Sequence, residues 1–499
     1  MRIVYVDIDS LRPDHLGCYG YGRKTSPNID ALAREGVRLE HLYTSDAPCL
    51  PSRSTFFGGL FGIKTGLVNH GGTNADPRPE GPARQFRSES MARSFGERLR
   101  TAGWRVVSIS SFPHRHSAYH VWHGFTETYD PGGDGDEQAH DVYAYAERWL
   151  SANHAADDWF LHLNFWDPHT PYDTPLSYGS PFAGDPPPEW LTQEIIDRQR
   201  ASPSPGTRSA LKTSWGDVAE FSWPRGAPEI TDLATWKAWI DGYDSGIHYV
   251  DSFVGRLIDR LQSLGIADDT AIVVSADHGE NQGELGVYGD HQTADEHTCR
   301  VPAIVRWPGV TDGAAGRSCA GLVYSVDLAA TMLDLAGCPV RADWDGVSFA
   351  AGLRSGELEG RSYLVLQQGA WSCQRASRWD RYLLIRSYHT GFRDHPAVML
   401  FDLEADPHEQ VDLAAGRSDL VVHGLGLVDT WVDAQLGRAG ASDPLRNVIV
   451  EGGPYHAALE KRHVCSLLRS RAREADAAAL ERDDGTPRDW VRAASSAGS

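Results

Sequence analysis

The chemistry open to this chain starts from two strand ends that carry carboxylates and from one cysteine. Asp9 follows the apolar run Ile3-Val4-Tyr5-Val6, and Asp277-His278-Gly279-Glu280 follows Ala271-Ile272-Val273-Val274-Ser275. Carboxylate oxygens joined by an imidazole nitrogen suit a divalent cation: calcium is favoured, manganese and magnesium are alternatives, and zinc is a further candidate. Cys49, in Cys49-Leu50-Pro51-Ser52-Arg53, is the odd member of this set. A soft thiolate is a poor ligand for a hard cation that carboxylates select. An oxygen-bearing group at position 49 would remove the mismatch. Each feature also has a plain structural use, since Asp277-His278-Gly279 suits a helix N-cap and turn, and a lone cysteine suits a small buried apolar slot.

These groups act together only if the fold carries them to one place. Short apolar or β-branched runs at 3–6, 106–109, 159–164, 271–275 and 302–305 alternate with helical stretches. That pattern predicts a mostly parallel α/β sheet with helices on both faces. Residues 243–264 carry Ile247, Val250, Val254, Leu257, Ile258 and Leu261 at helical spacing and predict an amphipathic helix. In such sheets ligands gather at the carboxyl ends of strands, and Asp9, Asp167 with His169, and Asp277 with His278 all fall there. Residues 172–230, rich in Pro, Ser, Gly and Trp, read as an irregular insertion that shapes a substrate pocket. Residues 1–355 are expected to form the catalytic α/β domain. Residues 356–499, with strands at 363–366 and 382–385 and a charged helical tail, are expected to form a smaller α+β domain with frayed last residues.

Composition narrows the partners. The 499 residues hold 47 Lys and Arg against 68 Asp and Glu, a formal net charge of −21 that repels phosphate backbones and anionic membrane surfaces. Neither nucleic acid nor a membrane is an expected partner, and no segment is long and apolar enough to span a bilayer. An anionic substrate therefore needs a local pocket of His, Arg and metal ligands. Seven cysteines, scattered from Cys18 to Cys465, fit reduced thiols better than a disulfide framework. With the opening apolar run broken by Asp7 and Asp9, a cytoplasmic location is expected.

Cys49-x-Pro51-x-Arg53 resembles the signature of type I sulfatases, members of the alkaline phosphatase superfamily in which this cysteine is oxidised to formylglycine. Five further blocks follow the family's order. They are Asp9-Ser10-Leu11-Arg12-Pro13-Asp14-His15, Thr25-Ser26-Pro27-Asn28-Ile29-Asp30, Asp167-Pro168-His169-Thr170-Pro171-Tyr172, Arg300-Val301-Pro302 through Trp307-Pro308-Gly309, and Phe401-Asp402-Leu403-Glu404-Ala405-Asp406-Pro407 through Leu413. The resemblance covers roughly residues 2–415 and implies an alkaline phosphatase-like sheet and sulfate ester hydrolysis. It implies a divalent metal on Asp9, Asp277, His278 and residue 49, with maturation by a formylglycine-generating enzyme. An aldehyde hydrate offers two hydroxyls on one carbon: one attacks sulfur, and deprotonating the other expels sulfate, so water need not attack a hindered centre. Arg53 would orient the hydrate, and His169 would face the sulfate or the leaving oxygen.

Departures from the family pattern set further expectations. Ser10 stands where many members have a second metal-binding aspartate, and Asp7 is either its replacement or an internally paired acid. Leu60 and His291 stand where arginine and lysine are common. Ser110-Ser111-Phe112-Pro113-His114-Arg115-His116 replaces a Gly-Lys-Trp-His block, so Arg115 and His116 are expected to bring the positive charge there, with a pH-dependent imidazole contribution. His70, in Asn69-His70-Gly71-Gly72, is a candidate substrate contact.

Three other readings share these residues. One is a formylglycine-dependent phosphonate monoester or phosphodiester hydrolase. Another is a two-metal phosphoesterase using Asp244 and His248, one helical turn apart. The last is a protein that binds sulfated ligands with Cys49 left as a thiol. Trp190, Trp215 and Trp223 in the insertion favour a carbohydrate or small organic sulfate as substrate, through ring stacking.

Overall fold

The computed structural model describes residues 1–79, 89–201, 225–226, 229–439, 442–470 and 472–487. Among the described residues, nine strands form one sheet. At its centre Arg2–Ile8 runs parallel to Trp159–Phe165 on one side and Thr270–Ser275 on the other. Arg105–Ile109 and Glu127–Tyr129 continue the parallel order outward. All residues of the first strand are buried, as expected for a parallel strand covered on both faces. Helices Pro27–Glu35 and Ala139–Asn153 pack against Leu233–Ser263, and Cys49–Gly58 packs with Phe95–Thr101 and Ser325–Leu335. The fold is the expected large, mostly parallel sheet flanked by helices, followed by a smaller sheet and a helical tail.

Two details differ from the sequence expectation. The helix expected over 243–264 begins earlier, at Leu233, because the Asp232 side chain accepts from the Thr235 amide (2.8 Å) and caps it there. Arg300–Arg306 runs antiparallel to both Thr270–Ser275 and Val37–Tyr43. The chain leaves Ser275 at the carboxyl edge and keeps residues 276–299 in short turns, helices and strands. It re-enters the sheet from that same edge without a crossover.

A second sheet has the order Val398–Asp402, Tyr382–His389, Cys373–Trp379, Tyr363–Gln368, and finally the short strand Asp46–Ala47. Asp46 lies opposite Gln367, and Ala47 opposite Gln368. The Asp46 carboxylate also accepts from Gly62 N, Thr55 Oγ1 and Gln367 Nε2, the last at 2.7 Å. The chain just before Cys49 is thus clamped to the second sheet. No helix among the described residues is long and apolar enough to cross a membrane.

Gly279 tests how tightly the edge is built. Its amide donates to Thr298 O (2.8 Å), and a β-carbon there would run into the His297 carbonyl oxygen. Backbone cannot retreat as a flexible side chain would, so Gly279→Ala should destabilise the fold by about 1–3 kcal/mol, read as a lower urea midpoint.

Candidate active site

Cys49 opens the helix Cys49–Gly58, and Pro51 sits in its first turn, where a missing N–H breaks no helical bond. The four-residue spacing puts Cys49 and Arg53 on one helix face, which points at the carboxyl edge of the large sheet. The Arg53 guanidinium donates from Nε to Asp7 (2.8 Å) and from Nη1 to Asp9 (3.0 Å) and Asp277 (2.7 Å). It lies over the Phe112 ring, 4.5 Å from the centroid. Asp7 also meets His162 Nε2 (3.2 Å), so it is an internally paired acid. Ser10, in the left-handed region at φ 58°, donates from Oγ to Asp9 (2.9 Å) and so braces that carboxylate.

Cys49 Sγ, an Asp277 oxygen and a His278 nitrogen all lie within 4.8 Å of one another. Asp9 Oδ1 is 3.8 Å from His278 Nε2. His278 Nδ1 is held at Gly279 O (2.8 Å), while its Nε2 finds no hydrogen-bond partner among the described residues. Arg53 Nη2 is likewise buried without one. Three carboxyl groups around one guanidinium give the buried cluster an excess of negative charge, which a divalent ion would offset. Burial pushes the Asp9 and Asp277 carboxyls up and Arg53 pulls them down; Asp9 ends below the usual carboxylate range and Asp277 above it, at about 7. Burial and the charges of Asp9 and Asp277 push the Cys49 thiol well above its ordinary value. With no cation beside it, an unmodified Cys49 is held as the thiol, a weak nucleophile.

Above this layer a cavity of roughly 130 Å³ is lined by Cys49, His70, Arg115, His116, His169, Thr170, Asp290, His291, Trp371 and His456. His70 Nε2 stands 3.1 Å from Cys49 Sγ, and His116 Nε2 stands 3.8 Å from it. The His291 ring is 4.2 Å from that of His278 and 6.2 Å from that of His169. Arg115 lies over Trp166 and donates to Asp134 O (2.6 Å). Every expected catalytic, substrate and metal residue thus reaches one place. The expected pH-sensitive charge does not: burial holds His70, His116 and His291 well below the usual imidazole range, and His169 and His456 at about 4. The imidazoles are neutral at pH 7.

Several residues singled out from sequence stand elsewhere. Asp167 turns away from the cavity, accepts from Ala139 N at the start of a helix (2.8 Å), and is pushed up to about 8 by burial. The Asp244 carboxylate is occupied by His15, Tyr21 and Arg23, and His248 Nδ1 meets Tyr178 Oη (2.6 Å), so the pair makes no second metal site. Trp190 stacks on His408 at 4.1 Å and does not line the cavity, while Trp215 and Trp223 lie outside the described residues. Leu60 is buried away from the cavity. His456, Trp371 and Asp290 were not legible as site residues. His456 lies beyond the last matching block, and its one local signal is Gly452-Gly453-Pro454, which marks a helix start just ahead of it.

A sulfatase family model matches residues 2–338. The chain belongs to the sulfatase family. A model of the C-terminal region of N-sulphoglucosamine sulphohydrolase matches residues 283–422. This sulfatase is 24% identical over 482 residues to an N-acetylglucosamine-6-O-sulfatase of Bacteroides thetaiotaomicron, covering 82% of this chain and 81% of that one. It is 25% identical to a choline-sulfatase of Rhizobium meliloti, covering 78% and 77%. The solved structure of BT4656 with its substrate D-glucosamine-2-N,6-O-disulfate superposes with a TM-score of 0.69 at 19% identity, over 89% of this chain and 99% of that one. Phosphonate monoester hydrolase of Agrobacterium radiobacter shares the fold at a TM-score of 0.64 and 18% identity, over 88% and 96%. The sulfatase is accordingly a sulfuric ester hydrolase, as its sequence implies.

The depressed imidazoles set a direction for stability. His120, His395 and His456 titrate at about 4 in the folded chain against an ordinary 6.5. As pH falls the unfolded chain binds protons first, so their contribution is full above 6.5 and is lost as pH drops through about 4. The urea midpoint should fall steadily from neutral pH towards pH 4.

Proposed function

We propose that this chain hydrolyses the sulfate ester of a small anionic carbohydrate, using formylglycine made from Cys49 and one divalent cation, with calcium favoured. The observation that carries this reading is the buried thiol set among Asp9, Asp277 and His278, beside a His278 Nε2 and an Arg53 Nη2 that have no hydrogen-bond partner among the described residues. Asp9, Asp277 and His278 would hold the cation, which polarises oxygen ligands and sulfate. Hydrated formylglycine, once formed, has one oxygen for attack on sulfur and another whose deprotonation frees the product.

The remaining steps belong to the chain's own side chains. Arg53, pinned by three carboxylates, offers Nη2 to the anion or to residue 49. His70 and His116 present Nε2 to residue 49 and move protons there. His169, whose Nδ1–H donates to Thr170 O, lines the cavity where the leaving oxygen would lie, and His291 offers to a sulfate oxygen its Nδ1, which has no hydrogen-bond partner among the described residues. Arg115 adds a fixed charge at the cavity lining. The carbohydrate reading draws support from relatives named for amino-sugar substrates. The phosphonate monoester reading draws on the shared fold alone.

Co-expression with a formylglycine-generating enzyme should lower the mass of the Cys49 peptide by about 18 Da. The matured protein should turn over an aryl sulfate faster than an aryl phosphonate. A peptide that stays a thiol, or a preference for the phosphonate, would overturn this reading. Calcium at about a hundred times its dissociation constant should add roughly 2.7 kcal/mol of stability, seen as a melting shift that EDTA reverses, while Asp277→Asn should abolish the shift.

A further inference from the structure

The helix Tyr455–Ser470, late in the chain, sends one side chain into the site, and its partner there is His70. His456 lies in the first turn of Tyr455–Ser470. Its amide donates to Ala370 O (3.0 Å), and its ring is stacked on Trp371 at 4.4 Å and 22°. His456 Nε2 stands 3.0 Å from His70 Nδ1. The neighbouring Tyr455 amide donates to Asn69 Oδ1 (3.4 Å), which also accepts from the His70 amide (2.9 Å). Gly71 lets this happen, because a β-carbon there would stand 2.8 Å from the Tyr455 ring. The two segments are therefore joined at two points.

The hydrogen-bond pattern fixes which nitrogen carries each proton. Leu50 lies in the first turn of its helix, so its N–H has no helical acceptor and points at His70 Nε2, 3.4 Å away. An amide can only donate, so His70 Nε2 is the accepting nitrogen and the His70 proton sits on Nδ1. His70 Nδ1–H then donates to His456 Nε2, and His456 carries its own proton on Nδ1. From this geometry we infer that His456 is a positioning residue that holds His70 in the Nδ1–H tautomer, with the Nε2 lone pair turned to residue 49. Without an acceptor at 456, an Nδ1 proton loses its hydrogen bond, and only the long contact from the Leu50 amide opposes the other tautomer, in which a donor would face residue 49.

The consequence for turnover rests on the proposed chemistry of residue 49, whereas the tautomer does not. The test therefore uses two measurements. Nitrogen-15 spectra of selectively labelled protein, with Cys49 left as a thiol, should show His70 protonated at Nδ1 in the wild type and in His456→Gln, whose carbonyl oxygen can accept in place of Nε2. His456→Phe, which fills the space with no acceptor, should shift the proton to Nε2. In the matured enzyme His456→Phe should lower kcat at least about tenfold with little change in KM, and His456→Gln should recover most of it. An unchanged tautomer in His456→Phe, a loss confined to KM, or equal losses in the two variants would overturn the inference. Failure of maturation or of sulfate turnover in the wild type would instead overturn the proposed function and leave the tautomer result standing.

Discussion

The Arg53 guanidinium, 2% exposed and bonded to Asp7, Asp9 and Asp277, is the interaction on which the site depends. It ties the helix that begins at residue 49 to the ends of two neighbouring parallel strands. A buried cation among carboxylates is worth little as net stability, because desolvation offsets most of the attraction. What it does is fix geometry: each bond has one acceptor and one direction, so Cys49 has one place to stand. The excess of carboxylate over guanidinium also suits the same cluster to a divalent ion.

The sheet supplies the frame for that cluster through register. Asp7 lies opposite Asn164 and Ser275, so the residues that follow all three strands emerge together. The return strand Arg300–Arg306 keeps the segment from Ala276 to Cys299 on the same edge, which is why His278, Asp290 and His291 share one region. The second sheet reaches the site from its far side. Its pairing with Asp46–Ala47 holds the chain immediately ahead of Cys49, and Trp371 lies just after its strand Tyr363–Gln368.

The cavity lining shows how an acidic protein can receive an anion without a cluster of fixed positive charges. Burial keeps its imidazoles neutral, so they act as donors and acceptors of hydrogen bonds at neutral pH rather than as cations. The positive charge falls to Arg53 and Arg115 and, under the proposed function, to a metal that Asp9, Asp277 and His278 would hold. In that setting tautomers matter more than net charge, because a neutral imidazole presents a lone pair on one side and a proton on the other.

What the sequence alone determined was local. Uninterrupted apolar runs marked buried parallel strands, the 49-to-53 spacing put thiol and guanidinium on one helix face, and polar residues just past strand ends marked the reactive edge. Those signals need only neighbours in the chain. The direction of Arg300–Arg306, the turning of Asp167 into a helix start, and the neutrality of the pocket imidazoles were decided by packing, since each depends on what lies across a sheet or around a ring. His456 is the clearest case. No pattern near it marks chemistry, and it becomes a site residue because the tertiary fold lays its helix against Trp371 and His70.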